Sequence, residues 1–319
     1  MNSMKRVLLL GGTGFVGRSL CERLIARGTE LRVTVATRRA ATARAVQFLP
    51  NVDPVECDVH DDARLAALLA GHDAVVNLIA ILHGSAAEFE RVHVRLAQRL
   101  AAACAASGVS RVLQVSALGA AADAPSNYQR SKAAAEAVLR AAPLRLSVLR
   151  PSVIFGDGDR FLNLFAQLQS VAPLMPLAAA DARFQPVWVE NVSEALVRCL
   201  ERPEAIGQTY ECAGPQVFTL AELVRLAGRL SGHERPVWPL PGWLGRLQAG
   251  AMELLPGTPL LSRDNLLAMR VPNVADGELP GLRALGIEPE SLPAVAPSYL
   301  SPGRGVARMN RWRARRAGV

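Results

Sequence analysis

An apolar run, Arg6–Leu10, feeds straight into closely spaced glycines and then into an amphipathic helical pattern; residues 5–20 read KRVLLLGGTGFVGRSL. Few chain geometries ask for that order. A strand turning sharply into a helix wants glycine where the backbone turns. It wants glycine again where a bulky anion approaches the main chain, and where helix and strand pack closest. Gly11, Gly14 and Gly17 take those places in turn, and Gly12, Gly14 and Gly17 also spell GxGxxG. With Thr13, Phe15 and Val16 they form a candidate phosphate-binding turn, the helix N-terminal amides aimed at the anion. A ligand-free strand–helix turn favours glycine too. The strand before it and the helix Phe15–Arg27 after it supply the context a dinucleotide fingerprint requires.

Strand-like runs and helical patterns alternate through the first half. Strands are predicted at Arg6–Leu10, Arg32–Ala36, Asp53–Cys57, Ala74–Ala80, Arg111–Val115 and Arg145–Leu149. Helices are predicted at Phe15–Arg27, Ala41–Gln47, Ala63–Leu69, Glu88–Ser107 and Asn127–Ala141. Near-continuous apolar strands joined through helices specify a parallel sheet covered on both faces. The expectation is an α/β fold, a doubly wound Rossmann sheet over residues 1–155 that binds a dinucleotide. Beyond Pro151 prolines and loops multiply, and residues 156–300 are expected to build a smaller, interleaved lobe. Residues 186–213, with a strand at Val187–Val189, a helix at Val192–Leu200 and a strand at Thr209–Cys212, are expected to return to the first domain.

No apolar stretch reaches the length that spans a bilayer. The first apolar run is short and ends in the glycine turn, so it reads as the first strand and not as a signal peptide. Five cysteines are odd in number and show no CxxC spacing, which argues against a disulfide framework or zinc site and suits a reducing, cytoplasmic setting. The net charge of +8 is uneven: Arg304, Arg308, Arg311, Arg313, Arg315 and Arg316, unaccompanied by acid, supply six of it and leave +2 on residues 1–300. That tail is either a solvated terminus or a contact for a protein assembly or an anionic surface such as the inner membrane. Aromatic residues do not interleave with it as in nucleic-acid grooves, so nucleic acid is not an expected partner.

The end of the second strand selects among dinucleotides, since an acid there would bind ribose hydroxyls and repel a 2′-phosphate. This chain reads Ala36-Thr37-Arg38-Arg39. Arg38, with Arg39 second, is a candidate 2′-phosphate ligand, which prefers NADP(H) over NAD(H). Two solvated surface arginines are the other reading. Asp58 and Val59 follow the third strand, where a carboxylate meets the adenine amino group; Asp58 is otherwise a helix N-cap, a place Asp61 or Asp62 also fits. Leu78, Ile79 and Ala80 end the fourth strand on the ribose side.

Ser116 closes the fifth strand, and Tyr128 and Lys132 follow four residues apart on one helical face. An ammonium there approaches both the phenol and the nicotinamide ribose, and lowers the tyrosine pKa toward the range for proton transfer. Ser116 holds a substrate carbonyl oxygen in that reading. YxxxK also arises by accident. Of 36 basic residues, however, only Lys5 and Lys132 are lysine, and one of them occupies this position. His83 is a candidate polar group on the substrate side, whereas His60, His72, His93 and His233 lack ligand spacing and read as surface or loop histidines.

GGTGFVG, the Ser116/Tyr128/Lys132 set, residues 150–156 (RPSVIFG) and residues 186–192 (PVWVENV) resemble extended or atypical short-chain dehydrogenases/reductases, the NAD(P)-dependent epimerase/dehydratase group. Residues 182–187 (ARFQPV) and 261–266 (LSRDNL) are similar to a branch that includes the nucleotide-binding accessory subunit of respiratory complex I. The resemblance implies a bound NADP(H), in that branch a structural cofactor, with Pro151, Val153 and Phe155 at its nicotinamide end. Only twelve positions separate Ser116 from Tyr128, the loop between is small and bland, and the chain is 5% aromatic. These features argue against epimerase or dehydratase chemistry on a sugar nucleotide. Two functions stay open: an oxidoreductase on a small carbonyl or alcohol, or a non-catalytic NADP(H)-binding accessory subunit.

Overall fold

The computed structural model describes residues 4–28, 30–257 and 259–302; the arginine-rich tail lies outside the described residues. In chain order the strands are β1 (Arg6–Leu10), β2 (Arg32–Thr37), β3 (Val52–Glu56), β4 (Ala74–Asn77), β5 (Arg111–Val115), β6 (Arg145–Pro151), β7 (Ile154–Phe155), β8 (Met175–Leu177), β9 (Arg183–Phe184), β10 (Val187–Trp188), β11 (Thr209–Cys212), β12 (Phe218–Thr219) and β13 (Val237–Pro239). The helices used below are α1 (Phe15–Ala26), α2 (Asp62–Leu69), α3 (Ala86–Phe89), α4 (Leu96–Ser107), α5 (Asn127–Ala141), α6 (Leu162–Val171), α7 (Val189–Glu201), α8 (Leu220–Ser231), α9 (Gly242–Glu253) and α10 (Arg263–Ala268).

Seven strands form one parallel sheet in the order β11-β6-β5-β4-β1-β2-β3, the doubly wound Rossmann arrangement. Val7 through Leu10 and Ala74 through Val76 are fully buried, which is why these strands read as unbroken apolar runs. Leu8, Leu10, Val75 and Val112 meet Leu65, Leu69, Leu96, Leu100 and Leu139 in one core. The strand order reverses between β1 and β4, and the carboxyl edge at such a switch point is where open α/β sheets bind ligands.

The described residues divide into two compact units: 4–151, 190–212 and 277–287, and 152–189, 213–276 and 288–302. In the first, α7 is pinned on α1, with Arg23 bonded to Glu190 at 2.9 Å and to Glu194 at 3.0 Å. Three placements differ from the sequence expectation. Residues 152–155, expected in the first domain, belong to the second unit. Val187–Trp188 pairs with β7 in a two-stranded sheet of the second unit, so only residues 190–212 of the expected returning segment join the first. Residues 277–287, expected in the smaller lobe, also join the first, because the Glu211 N–H donates to Pro280 O at 3.0 Å. Pairings this distant in sequence leave no local pattern.

Three elements of the first unit also differ. The helix expected at Ala41–Gln47 is a short 3-10 helix, Ala40–Ala45. β4 stops at Asn77, three residues early, since the Asn77 side chain takes the Ile79 N–H at 3.2 Å. The expected helix over 88–107 divides into α3, a π-helical segment Glu90–Arg95, and α4.

The second unit packs α6 and α8 around Phe155, Met175, Leu177, Leu223 and Val224. Its buried Asp159 carboxylate accepts the backbone N–H groups of Gly156, Phe161 and Asn163 and the Tyr299 hydroxyl, tying the loop after β7 to the last described helix.

Candidate functional site

β1 delivers the chain to Gly11 at φ +86°, a left-handed turn that L side chains avoid. The Gly14 N–H then donates to Gly11 O at 3.0 Å and α1 begins at Phe15. Gly14 caps α1 without a side-chain bond, and no acid occupies the first helical turn. The opening amides, those of Phe15, Val16 and Gly17 among them, therefore lack intrahelical partners and form an electropositive terminus for an anion. A Cβ at Gly17 would stand 2.5 Å from the Gly12 main chain, so glycine there lets α1 close on the turn. At exposed Gly14 it would meet only Gly11 O, at 3.2 Å, leaving the approach open. Thr13, Phe15 and Val16 are partly buried around it. This cradle fits a diphosphate.

At the end of β2, the buried Thr37 hydroxyl donates to Arg39 O at 3.0 Å and hooks the chain into a turn that leaves Arg38 and Arg39 exposed. Burial lowers the His60 pKa and Asp58 opposes that; the positive charges of Arg91, Arg99 and Arg38 then lower it further. Arg91 and Arg99, which sequence reasoning did not single out, thus lie with Arg38 within electrostatic range of His60. They lie on the helical stretch after β4, and no local signal marks them. Asp61, not Asp58, caps α2, accepting the Arg64 N–H at 3.0 Å. The exposed Asp58 carboxylate accepts the His60 N–H instead, and the Val59 side chain is buried in the core. Leu78 donates to Leu10 O at 2.9 Å, and a Cβ on Gly11 would touch Leu78 and Ile79. Both stay partly buried beside the turn, and Ala80 is exposed.

Ser116 follows β5, with its N–H bonded to Leu149 O at 2.7 Å. Its hydroxyl is buried and has no hydrogen-bond partner among the described residues. A buried hydroxyl without a partner costs about 1–3 kcal/mol. Lys132, 2% exposed, projects from α5 and donates to Val115 O at 3.0 Å. Burial pushes its pKa down to about 8, against the opposing charge of Glu136. Glu136 is itself held by Arg150 through two bonds of 2.9 and 2.8 Å. One turn before Lys132, burial pushes the Tyr128 phenol up to about 12. Burial thus opposes the lowering expected from Lys132. The short loop between Ser116 and Tyr128 is packed, not open: Leu118 N–H donates to Pro151 O at 2.9 Å, and Arg130 holds Ala124 O at 2.6 Å.

The reading of His72 and His93 as surface or loop residues is corrected. His72 is buried against the Thr34 hydroxyl at 2.8 Å. His93 is buried in the π-helical segment and stands edge-on to Tyr128, ring centroids 5.8 Å apart. Its Nε2 accepts the Ile81 N–H at 3.2 Å, so Nδ1 carries the proton and donates to Ser131 Oγ at 2.8 Å. Ser131 in turn donates to Tyr128 O at 2.8 Å. Burial and the Lys132 charge push the imidazole pKa down to about 3, which keeps it neutral. No local signal in the sequence marks it: Val92, His93 and Val94 are all buried in the π-helical turn, which packing decides. His83, on the loop after β4, is partly buried.

Pro151 ends β6 and is buried. Val153 and Phe155 belong to the second unit. Val153 donates to Asn273 Oδ1 at 3.0 Å and accepts the Val187 N–H at 3.0 Å. The Phe155 ring is fully buried in that unit's core.

A family described as NAD(P)H-binding matches residues 11–167. The mouse mitochondrial NADH dehydrogenase [ubiquinone] 1 alpha subcomplex subunit 9 is 30% identical over 293 residues, 89% of this chain and 76% of that protein. The ceramide reductase of Caulobacter vibrioides is 31% identical over 77% of this chain and 76% of its own. Among solved structures, UDP-glucuronic acid 4-epimerase from Bacillus cereus, in complex with UDP-glucuronic acid and NAD, superposes with a TM-score of 0.65. It has 16% identity and covers 85% of this chain and 95% of that one. A nucleoside-diphosphate-sugar epimerase from Staphylococcus aureus gives 0.69 at 18% identity, over 90% of this chain and 98% of that one. The two structures establish the shared fold, and the two sequence relatives, with the matched NAD(P)H-binding region, extend it to kinship. The chain belongs to the family of the complex I alpha subcomplex subunit 9 proteins, with an NAD(P)H-binding region over residues 11–167.

Proposed function

We propose that the protein is an NADP(H)-dependent oxidoreductase that reduces a carbonyl to an alcohol, with Tyr128 as proton donor. The observation that carries this reading is the buried, unpartnered Ser116 hydroxyl, one residue from the carbonyl that anchors Lys132. A carbonyl oxygen seated there gives that hydroxyl the acceptor it lacks. The reduced nicotinamide, when bound, supplies the hydride. At neutral pH the phenol, pushed up to about 12, holds its proton and is ready to donate it to a developing alkoxide. Lys132, with a pKa of about 8, is still mostly cationic at pH 7 and favours the phenolate left behind. Neutral His93 and Ser131 fix the backbone of Tyr128. Gly11, Thr13, Gly14, Phe15, Val16 and Gly17 receive the diphosphate, Arg38 with Arg39 the 2′-phosphate, Asp58 and Val59 the adenine, and Leu78, Ile79, Ala80 and Pro151 the remaining length. The similarity to a protein named ceramide reductase supports the carbonyl chemistry.

The second reading, a non-catalytic NADP(H)-binding accessory subunit, draws on the 30% identity to the complex I subunit over 89% of this chain. One experiment separates the two. Purified protein is assayed for co-purified nucleotide and then for NADPH oxidation with a panel of ketones and aldehydes. Turnover that disappears in Tyr128→Phe supports the reductase. Retained NADP(H) without turnover on any carbonyl supports the accessory subunit.

A further inference from the structure

Helix α9 is apolar on two opposite faces, and only one of them is covered. Gly245 and Ala249 are buried, and α9 lies so close to the chain after β8 that a Cβ on Gly245 would stand 2.8 Å from the Ala178 Cβ. Half a helical turn away lie Trp243, Leu247, Gly250 and Leu254, at i, i+4, i+7 and i+11. Trp243 is 58% exposed, Leu247 62% and Leu254 87%. An apolar stripe along a helix normally faces a covering surface. The exposed surface continues beyond the helix. Leu255 is exposed after it, and before it Trp238 stands exposed on β13, paired with exposed Pro176 of β8.

The charges say what covers it. Residues 236–262 contain one base, Arg246, and one acid, Glu253, which is neutralised by Arg263 at 2.7 Å. That stretch therefore carries no net charge. The described chain ends at Pro302, against Gly232 at the end of α8, six residues before Trp238. From there the sequence runs on with six arginines, a tryptophan and no acid. Tryptophan and leucine suit the boundary between headgroups and acyl chains, and arginine suits anionic headgroups.

We infer that the second unit docks on an anionic lipid surface. The outer face of α9 with Trp238 supplies the apolar contact, and the arginine tail supplies the electrostatic one. The occupant is a bilayer surface, not a spanning path: no helix among the described residues is long and apolar enough to cross a membrane.

The test is flotation of the full chain with vesicles of phosphatidylcholine, alone or with phosphatidylglycerol, at low and high salt. Wild-type protein rises with the anionic vesicles and its tryptophan emission shifts to the blue. Leu247→Glu and Trp243→Glu replace exposed side chains, so melting temperature and NADPH binding stay at the wild-type level. Each variant lowers vesicle binding roughly tenfold at both salt concentrations, the order expected when one large apolar side chain leaves the contact. Truncation after Pro302 removes the preference for anionic lipid and its salt dependence. Absence of vesicle binding overturns the inference, as does binding that neither substitution weakens. A lipid-free dimer that Leu247→Glu converts to monomer also overturns it, since a second copy then covers the face.

Discussion

The Lys132 ammonium donates to Val115 O at 3.0 Å, so that the side chain of α5 is fastened to the main chain immediately before Ser116. This bond sets an electrostatic tension. The ammonium is almost wholly buried, its pKa is pushed from 10.5 to about 8, and Glu136, its nearest compensation, is shared with Arg150 and Arg140.

Lys132→Met should therefore remove a pH dependence. Between about pH 8 and 10.5 the unfolded chain binds the Lys132 proton and the folded chain does not, so this group makes stability rise with pH. Buried cysteines and Tyr128 act in the opposite sense at high pH, and the difference between variant and wild type isolates the lysine. Urea midpoints from pH 7 to 9.5 should show the wild type gaining on Lys132→Met. The same variant should lose turnover by about 10²–10⁴-fold. Parallel midpoints across that range would show that the ammonium is not strained by burial.

Ser116→Ala separates stability from activity. The hydroxyl is buried without a partner, so its removal should leave the melting temperature unchanged or raise stability by about 1 kcal/mol. Carbonyl turnover should fall at least about tenfold if the hydroxyl meets the substrate oxygen. A destabilised variant would mean that the hydroxyl has a structural partner.

His93→Phe should make the protein less sensitive to acid. The imidazole ordinarily titrates near 6.5 and is pushed to about 3 in the fold. As pH falls through 6.5 the unfolded chain takes up a proton that the folded chain refuses, and stability is lost until the folded group itself protonates near 3. Phenylalanine cannot take that proton, but it abandons the bonds to Ile81 and Ser131 at a cost of about 1–3 kcal/mol. Denaturant midpoints at pH 7 and pH 5 should differ less in the variant than in the wild type.

Arg38→Asp tests coenzyme choice. A charge reversal at the exposed end of β2 should weaken NADPH binding by about 10–100-fold while NADH changes little. Titration of both reduced coenzymes against both proteins reads this directly. Equal losses, or none, would remove Arg38 from the 2′-phosphate.

Much of the candidate site was legible because its demands are local. Gly11 at positive φ, Gly17 against the Gly12 backbone and the four-residue step from Tyr128 to Lys132 each follow from geometry within a few residues. Asp58 and Asp61 show where legibility runs out: either carboxylate satisfies the capping pattern, and the fold gives the cap to Asp61. His93 was hidden because the π-helical turn that buries it is resolved by packing, not by propensity.

By itself the sequence determined the parallel sheet, the glycine turn and the strand ends that face its switch point, because periodicity and backbone freedom are properties of neighbouring residues. Tertiary structure alone decided that Gly277–Ile287 returns to the first unit, that Val187–Trp188 leaves it and that Phe155 turns into the second core. It also decided that the Ser116 hydroxyl is left without an acceptor and that α9 keeps an uncovered apolar face. Those outcomes depend on which distant groups compete for each hydrogen bond and each buried surface, and that competition is settled only when the whole chain has folded.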